Sequence, residues 1–283
     1  MEDPTMQCCM RLRPPATWSA QHAADVVRIQ RPQDEVIARH PSRRHGHDAN
    51  TERWNGAVHS TPMTPSYPPY PTVERRGDEL VLRLGGYADA DGHVGSAEAD
   101  WGDGAPRFTL YRDGALAAER TSSVVGIDVD PTPGRYRAEL NVRAPSLRLS
   151  TRRDITLEFT PAHADPDLTL PFTAIGFAPS LDLTNTAETH RTMQIPITLT
   201  SQGAASEVRT VGVEVSYDDG ATWQKTPVSR HSGAWRTRVK NPARPGYVSL
   251  RGHVVNAGRG PRGVATRNAA GTGRPALCRP LGP

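Results

Sequence analysis

From residue 73 onward the chain advances in short runs that alternate apolar with polar residues, separated by dipeptides suited to tight turns. Leu80, Leu82 and Leu84 alternate with Val81 and Arg83, and Phe108 and Leu110 with Arg107 and Thr109. Tyr136, Ala138, Leu140 and Val142 form the longest such run of the first half, followed by Ile155, Leu157 and Phe159. The second half repeats the pattern with Met193, Ile195, Ile197 and Leu199, then Val211, Val213 and Val215. Trp235, Thr237 and Val239 come next, then Val248, Leu250, Gly252 and Val254. Successive side chains of a strand point to opposite faces, so this period of two describes strands with one face buried. Asp91-Gly92, Asp113-Gly114 and Asp219-Gly220 stand between runs and accept the positive φ of hairpin turns.

Short strands joined by such turns predict sandwiches rather than βαβ units. The expected fold class is therefore all-β, with two consecutive immunoglobulin-like β-sandwich modules. Pro161 to Pro171, with three prolines and no periodicity, divides them into residues 73–165 and 166–256. Residues 1–72 read as a disordered, Pro-rich segment: five prolines stand between Thr61 and Pro71, and only a short helix from Ser19 to Ile29 is indicated before them. Residues 257–283 read as an irregular Arg/Gly-rich tail. The 25 glycines and 26 prolines argue against an all-α chain. No run approaches the ~18 apolar residues of a membrane-spanning helix, so no membrane partner is expected.

The net charge of +4 is confined to one end. Residues 1–72 carry net +1, residues 73–256 net −2, and residues 257–283 have five arginines and no acid. A nucleic-acid groove carries its charge on the folded body with aromatics interleaved, so nucleic acid is not an expected partner. Cys8, Cys9 and Cys278 lie outside the alternating region and have no zinc-site spacing. Met1 to Arg13 lacks the apolar core of a signal peptide, so no export signal is expected.

Three clusters are candidates for chemistry. Ser216-Tyr217-Asp218-Asp219-Gly220-Ala221-Thr222-Trp223 matches the Asp-box pattern Ser-x-Asp-x-Gly-x-Thr-Trp. Asp218 can accept from backbone amides of the turn, Gly220 supplies positive φ, and Trp223 packs on the hairpin. Ser216, Asp218, Gly220, Thr222 and Trp223 are thus expected to form a structural hairpin. A single copy does not make a propeller. His45-Gly46-His47-Asp48, with His40 and His59 nearby, has metal-ligand chemistry but reads as a solvated loop. Asp89, Asp91, Asp100 and Asp103, around Gly92, Gly95, Gly102 and Gly104, could offer oxygens to calcium, but turn chemistry is the simpler reading. No metal, cofactor or catalytic residue is expected from these patterns.

Several phrases carry a family resemblance. They are Val73-Glu74-Arg75-Arg76-Gly77-Asp78, Gly86-Tyr87-Ala88-Asp89-Ala90-Asp91-Gly92-His93-Val94-Gly95 and Phe108-Thr109-Leu110-Tyr111-Arg112-Asp113-Gly114. Gly134-Arg135-Tyr136-Arg137-Ala138, the hairpin from Val213 to Trp223, and Asn241-Pro242-Ala243 before Val248-Ser249-Leu250-Arg251 complete the set. Together, from about Trp54 to Asn256, they resemble the non-catalytic C-terminal region of large secreted subtilisin-like serine peptidases of actinomycetes. The resemblance implies accessory modules that stabilise or target a parent enzyme. Expected partners are a peptidase catalytic domain, an extracellular protein or a polysaccharide. The subtilisin-like motifs Asp-Ser/Thr-Gly, His-Gly-Thr-His and Gly-Thr-Ser-Met-Ala do not occur, so this chain is not expected to be an enzyme. In the family another strand follows Val-Ser-Leu-Arg and closes the second sandwich. After Asn256 the present sequence turns abruptly to Gly and Arg, which suggests an altered reading frame and predicts a missing closing strand and a bare edge.

Overall fold

The computed structural model describes residues 11–12, 27–28, 36–38, 52–53, 56–61, 72–85, 87–95, 105–143, 149–161, 164–182, 185–203, 207–257 and 265–270. It is all-β, with no helix among the described residues. Val27–Arg28, inside the expected helix, is a strand that pairs with Val36–Ala38; the rest of that expected helix lies outside the described residues.

Two consecutive immunoglobulin-like β-sandwich modules form the body. In the first, sheet I has the spatial order Val124–Asp128, Glu79–Arg83, Val73–Gly77, Ala164–Thr169. Sheet II has the order Ala115–Arg120, Arg107–Arg112, Tyr136–Arg143, Arg152–Phe159. Leu80, Leu82, Val125 and Ile127 of sheet I meet Phe108, Leu110, Leu140 and Leu157 of sheet II in one core. In the second module, sheet III runs Phe172–Phe177, Thr192–Gln202, Ala234–Lys240, Val228–His231. Sheet IV runs Ser249–Ala257, Glu207–Ser216, Gln224–Thr226. Its core joins Ile175, Ile195, Ile197 and Val239 to Val211, Val213, Val215, Leu250 and Val254. All pairings are antiparallel.

The turns follow their residues. Asp113 and Gly114 have φ of 51° and 88°, the two positive values a two-residue type I′ hairpin requires. Ser232 and Gly233 do the same between His231 and Ala234.

Three features depart from the expected organisation, and the second and third join the modules. First, the stretch Pro161 to Pro171 contains a strand, Ala164–Thr169, which pairs with Val73–Gly77 at the edge of sheet I. The divide expected at 165/166 falls inside it. Pro166 is tolerated because the strand is an edge and its register slips between Ala164 and Leu168. Second, residues 56–61 are buried except for the partly buried Val58, although they were expected to be part of the disordered segment. Ser60 and Ala88 exchange backbone hydrogen bonds of 2.8 Å, Ala90 N donates to Gly56 O, and Ala57 N donates to Asn185 Oδ1 at 3.0 Å. Third, the bare edge expected on Ser249–Ala257 is occupied. Ala265–Ala270, from the expected irregular tail, pairs with it and also with Arg152–Phe159, merging sheets II and IV into one eight-stranded sheet.

The strand Phe172–Phe177 is buried at all six positions. Phe172 and Ala174 belong to the first core, Ile175 and Phe177 to the second. Gln202 adds a polar tie: its amide nitrogen donates to Val73 O (2.9 Å) and Leu170 O (3.0 Å), and its Oε1 accepts from Thr72 N (2.7 Å).

Candidate functional site

The Asp-box-like segment closes the hairpin between Glu207–Ser216 and Gln224–Thr226. Asp219 and Gly220 take φ of 59° and 83°, which turns the backbone amides inward. Ser216 is buried; its Oγ donates to Asp218 Oδ1 (2.7 Å) and accepts from Gly220 N (2.8 Å). Asp218 also accepts from Thr222 N at 2.8 Å and from the Thr222 hydroxyl. These bonds, Thr222 first and Ser216 after it, hold the Asp218 carboxyl down at about 2. Trp223 lies under the Arg251 guanidinium, 4.3 Å from the ring centroid, and Arg251 Nε donates to Glu214 at 2.7 Å. Of the five residues expected in this hairpin, these bonds link Ser216, Asp218, Gly220 and Thr222, while Trp223 stands against Arg251 of the neighbouring strand. A carboxylate held near 2 is a poor base at neutral pH, where acid–base catalysis needs a matched group. The arrangement staples a turn.

Ser216→Ala is expected to destabilise the chain by about 1–2 kcal/mol, because it removes a buried hydroxyl that donates to Asp218 Oδ1 and accepts from Gly220 N, and so takes away the side-chain acceptor of that amide. Urea unfolding at pH 7 measures it. The Asp218 contribution runs with pH in the carboxylate sense: present above its ordinary 3.8 and lost as pH falls toward about 2.

A second turn of the same kind was not singled out in the sequence. Asp130 accepts from Thr132 N (2.8 Å) and the Thr132 hydroxyl, and Arg112 Nη1 stands 3.2 Å from it. These contacts, Thr132 foremost, hold its carboxyl well below the usual range. The signal was legible in Asp130-Pro131-Thr132-Pro133-Gly134, a side-chain-to-backbone turn two residues long.

The acidic candidates resolve differently. Asp89 Oδ1 accepts from Asp91 N (3.0 Å) and His93 N (2.9 Å), while His93 Nδ1 lies 2.9 Å from Oδ2. Asp91 and Gly92 form the turn itself, with Gly92 at φ 87°. Asp100, Asp103, Gly102 and Gly104 lie outside the described residues, as do His40, His45, His47, Asp48 and the three cysteines. Among the described residues no group of three or more His, Cys, Asp or Glu side chains is placed to hold a metal ion.

His59 is set apart from the other histidines of its sequence neighbourhood. It is buried in the seam made by residues 56–61, and its backbone N–H donates to Ser150 Oγ at 3.1 Å. Burial, reinforced by Arg153 and opposed by Asp89, lowers its pKa from 6.5 to about 4. Nothing in the alternation pattern marks this seam, because its bonds come from residues distant in sequence.

No protein-family model matches this chain, and no curated protein matches it.

Proposed function

We propose that this chain is a non-catalytic accessory fragment, two β-sandwich modules similar to the C-terminal region of secreted subtilisin-like serine peptidases, which stabilise or target the parent enzyme. The observation that carries this reading is the way Asp218, Asp130 and Asp89 are spent within their own turns. Carboxylates satisfied by local amides and hydroxyls stiffen loops and are unsuited to moving protons. Exposed apolar side chains support a docking role. Val124 and Leu168 are exposed on the two edge strands of sheet I, flanking the Val73–Gly77/Glu79–Arg83 hairpin.

A second reading, a stand-alone extracellular carbohydrate- or protein-binding module, is favoured by Trp223, half-exposed beside Arg251. Sugar rings stack on such aromatic faces.

The purified chain, incubated with casein and a fluorophosphonate probe, is expected to show neither cleavage nor labelling. Labelling that disappears on mutation of one serine would overturn the non-catalytic reading. Retention on an insoluble polysaccharide, lost in Trp223→Ala, would establish the second reading in place of the first.

A further inference from the structure

We infer that the outer edge of Val124–Asp128 docks an extended segment of another protein, one that carries arginine or lysine at alternate positions. This deepens the docking role and rests on it, yet the two fail separately: peptide binding reads only this edge, and the casein and probe assay reads the parent activity.

Exposed sheet edges are normally blunted by charge, proline, a bulge or shortness, because they recruit other strands. The other exposed edges of the two sandwiches carry such devices. Ala164–Thr169 has Pro166 and a register slip, and Ala115–Arg120 is broken in register between Leu116 and Ala118. Val228–His231 ends in Arg230 and His231, and Gln224–Thr226 is three residues long. Val124–Asp128 contains no proline, lysine or arginine, and it pairs with Glu79–Arg83 without interruption over all five residues.

Two bonds flanking the strand fix which of its backbone groups face outward. Leu84 N donates to Ser123 O at 2.9 Å, and Val129 N donates to Asp78 O at 2.9 Å. Backbone direction alternates along an antiparallel strand, so Ser123, Val125, Ile127 and Val129 turn toward Glu79–Arg83. Val124, Gly126 and Asp128 then present N–H and C=O to the open edge. The Ser122 hydroxyl covers the first of these, accepting from Val124 N (3.2 Å) and donating to Val124 O (2.7 Å). Gly126 and Asp128 have no such cover among the described residues.

The chemistry of the occupant follows from the side chains. Val125 and Ile127 face the core, while Val124, Gly126 and Asp128 lie on the exposed side. On that side Asp128 stands directly opposite Glu79, and Glu79 Oε1 lies over Gly126, where it would collide with an added Cβ. Like charges directly opposite destabilise a sheet. Arg76, across from Glu79 on its other side, gives its ion pair to Glu74 at 2.7 Å. Neither Glu79 nor Asp128 forms an ion pair among the described residues. An antiparallel newcomer whose arginines fall opposite Gly126 and Asp128 supplies both counter-ions. β-branched residues between them extend the core row beyond Val125 and Ile127. A second copy of the chain fits worse: paired about Gly126, it would bring two Glu79 carboxylates together, each beside an Asp128.

The test uses the full chain and labelled, end-capped peptides followed by fluorescence anisotropy. Arg-Val-Arg-Val-Thr is expected to bind saturably and about tenfold tighter than Thr-Val-Thr-Val-Thr. Glu79→Gln combined with Asp128→Asn should erase that preference. Methylating the amide nitrogen of the central arginine should abolish binding, because that N–H faces Gly126. Methylating the valine after it should spare binding, because that N–H faces solvent. Gly126→Pro removes an outward N–H and no ladder bond, so it should also abolish binding at an unchanged circular dichroism spectrum. Absence of saturable binding, equal affinity for the two peptides, a preference that survives the double variant, or equal loss from the two methylations would each overturn the proposal. So would binding to folded Gly126→Pro, or a dimer in sedimentation that Gly126→Pro converts to monomer, which would assign the edge to a second copy.

Discussion

Phe172→Ala is expected to cost about 3–5 kcal/mol and to weaken both modules together. Phe172 is 1% exposed and belongs to the first core, yet its strand carries Ile175 and Phe177 into the second. Removing the ring opens a cavity in a strand that has no solvent face through which to relax. The strand is also fixed from the side. Thr173 Oγ1 donates to Asn256 Oδ1 at 3.1 Å and lies 2.8 Å from Ser201 Oγ, so its position is shared by sheets III and IV. Amide exchange read separately on Tyr136–Arg143 and on Thr192–Gln202 checks the result. Faster exchange in both strands by a common factor is expected. Loss confined to the first module would show that the two cores unfold independently.

This coupling accounts for what was and was not legible in the sequence. The alternating runs became strands where one face is solvated, as in Tyr136–Arg143, where buried and less buried positions alternate over all eight residues. Asp113-Gly114, Asp91-Gly92 and Asp219-Gly220 became turns because positive φ is cheap for glycine and tolerable for aspartate. The Ser216-to-Trp223 hairpin was readable from its residues alone, since each bond in it spans at most four positions.

Alternation disappears where a strand is buried on both faces, where it lies at an edge, or where its partners are remote. Phe172–Phe177 is the first case. Ala164–Thr169, carrying Pro166 at a sheet edge, is the second. Residues 56–61 and Ala265–Ala270 are the third: Ala57 bonds to Asn185, and Thr266 is paired with Leu157. Local pattern could reveal none of these elements, and all of them except Ala164–Thr169 tie the two modules together. The same holds for His59, which the sequence grouped with His45 and His47 and the fold placed in a buried seam.

Burial of His59 makes acid a specific stress on that seam. The pKa falls from 6.5 to about 4, chiefly through desolvation, with Arg153 acting in the same direction and Asp89 against it. The folded chain therefore holds this imidazole neutral while the unfolded chain protonates it near 6.5. Stability contributed by neutral His59 is complete above 6.5, falls as the unfolded state takes up its proton, and is exhausted near 4, where the folded state protonates too. At 1.36 kcal/mol per pH unit, the full loss is on the order of 3 kcal/mol, of which about 2–3 kcal/mol has gone by pH 4.5. Carboxylates also titrate toward the acid end of this range, so the quantity to measure is a difference between two chains. Urea unfolding at pH 7 and pH 4.5 should show the parent losing about 2–3 kcal/mol more than His59→Gln, which keeps a polar side chain but has no proton to gain. Equal losses in the two chains would mean that His59 is as accessible to protons folded as unfolded. Protonation would then leave undisturbed the backbone bonds of the seam, His59 N to Ser150 Oγ and the Ser60–Ala88 pair, which the buried cation is otherwise expected to break first.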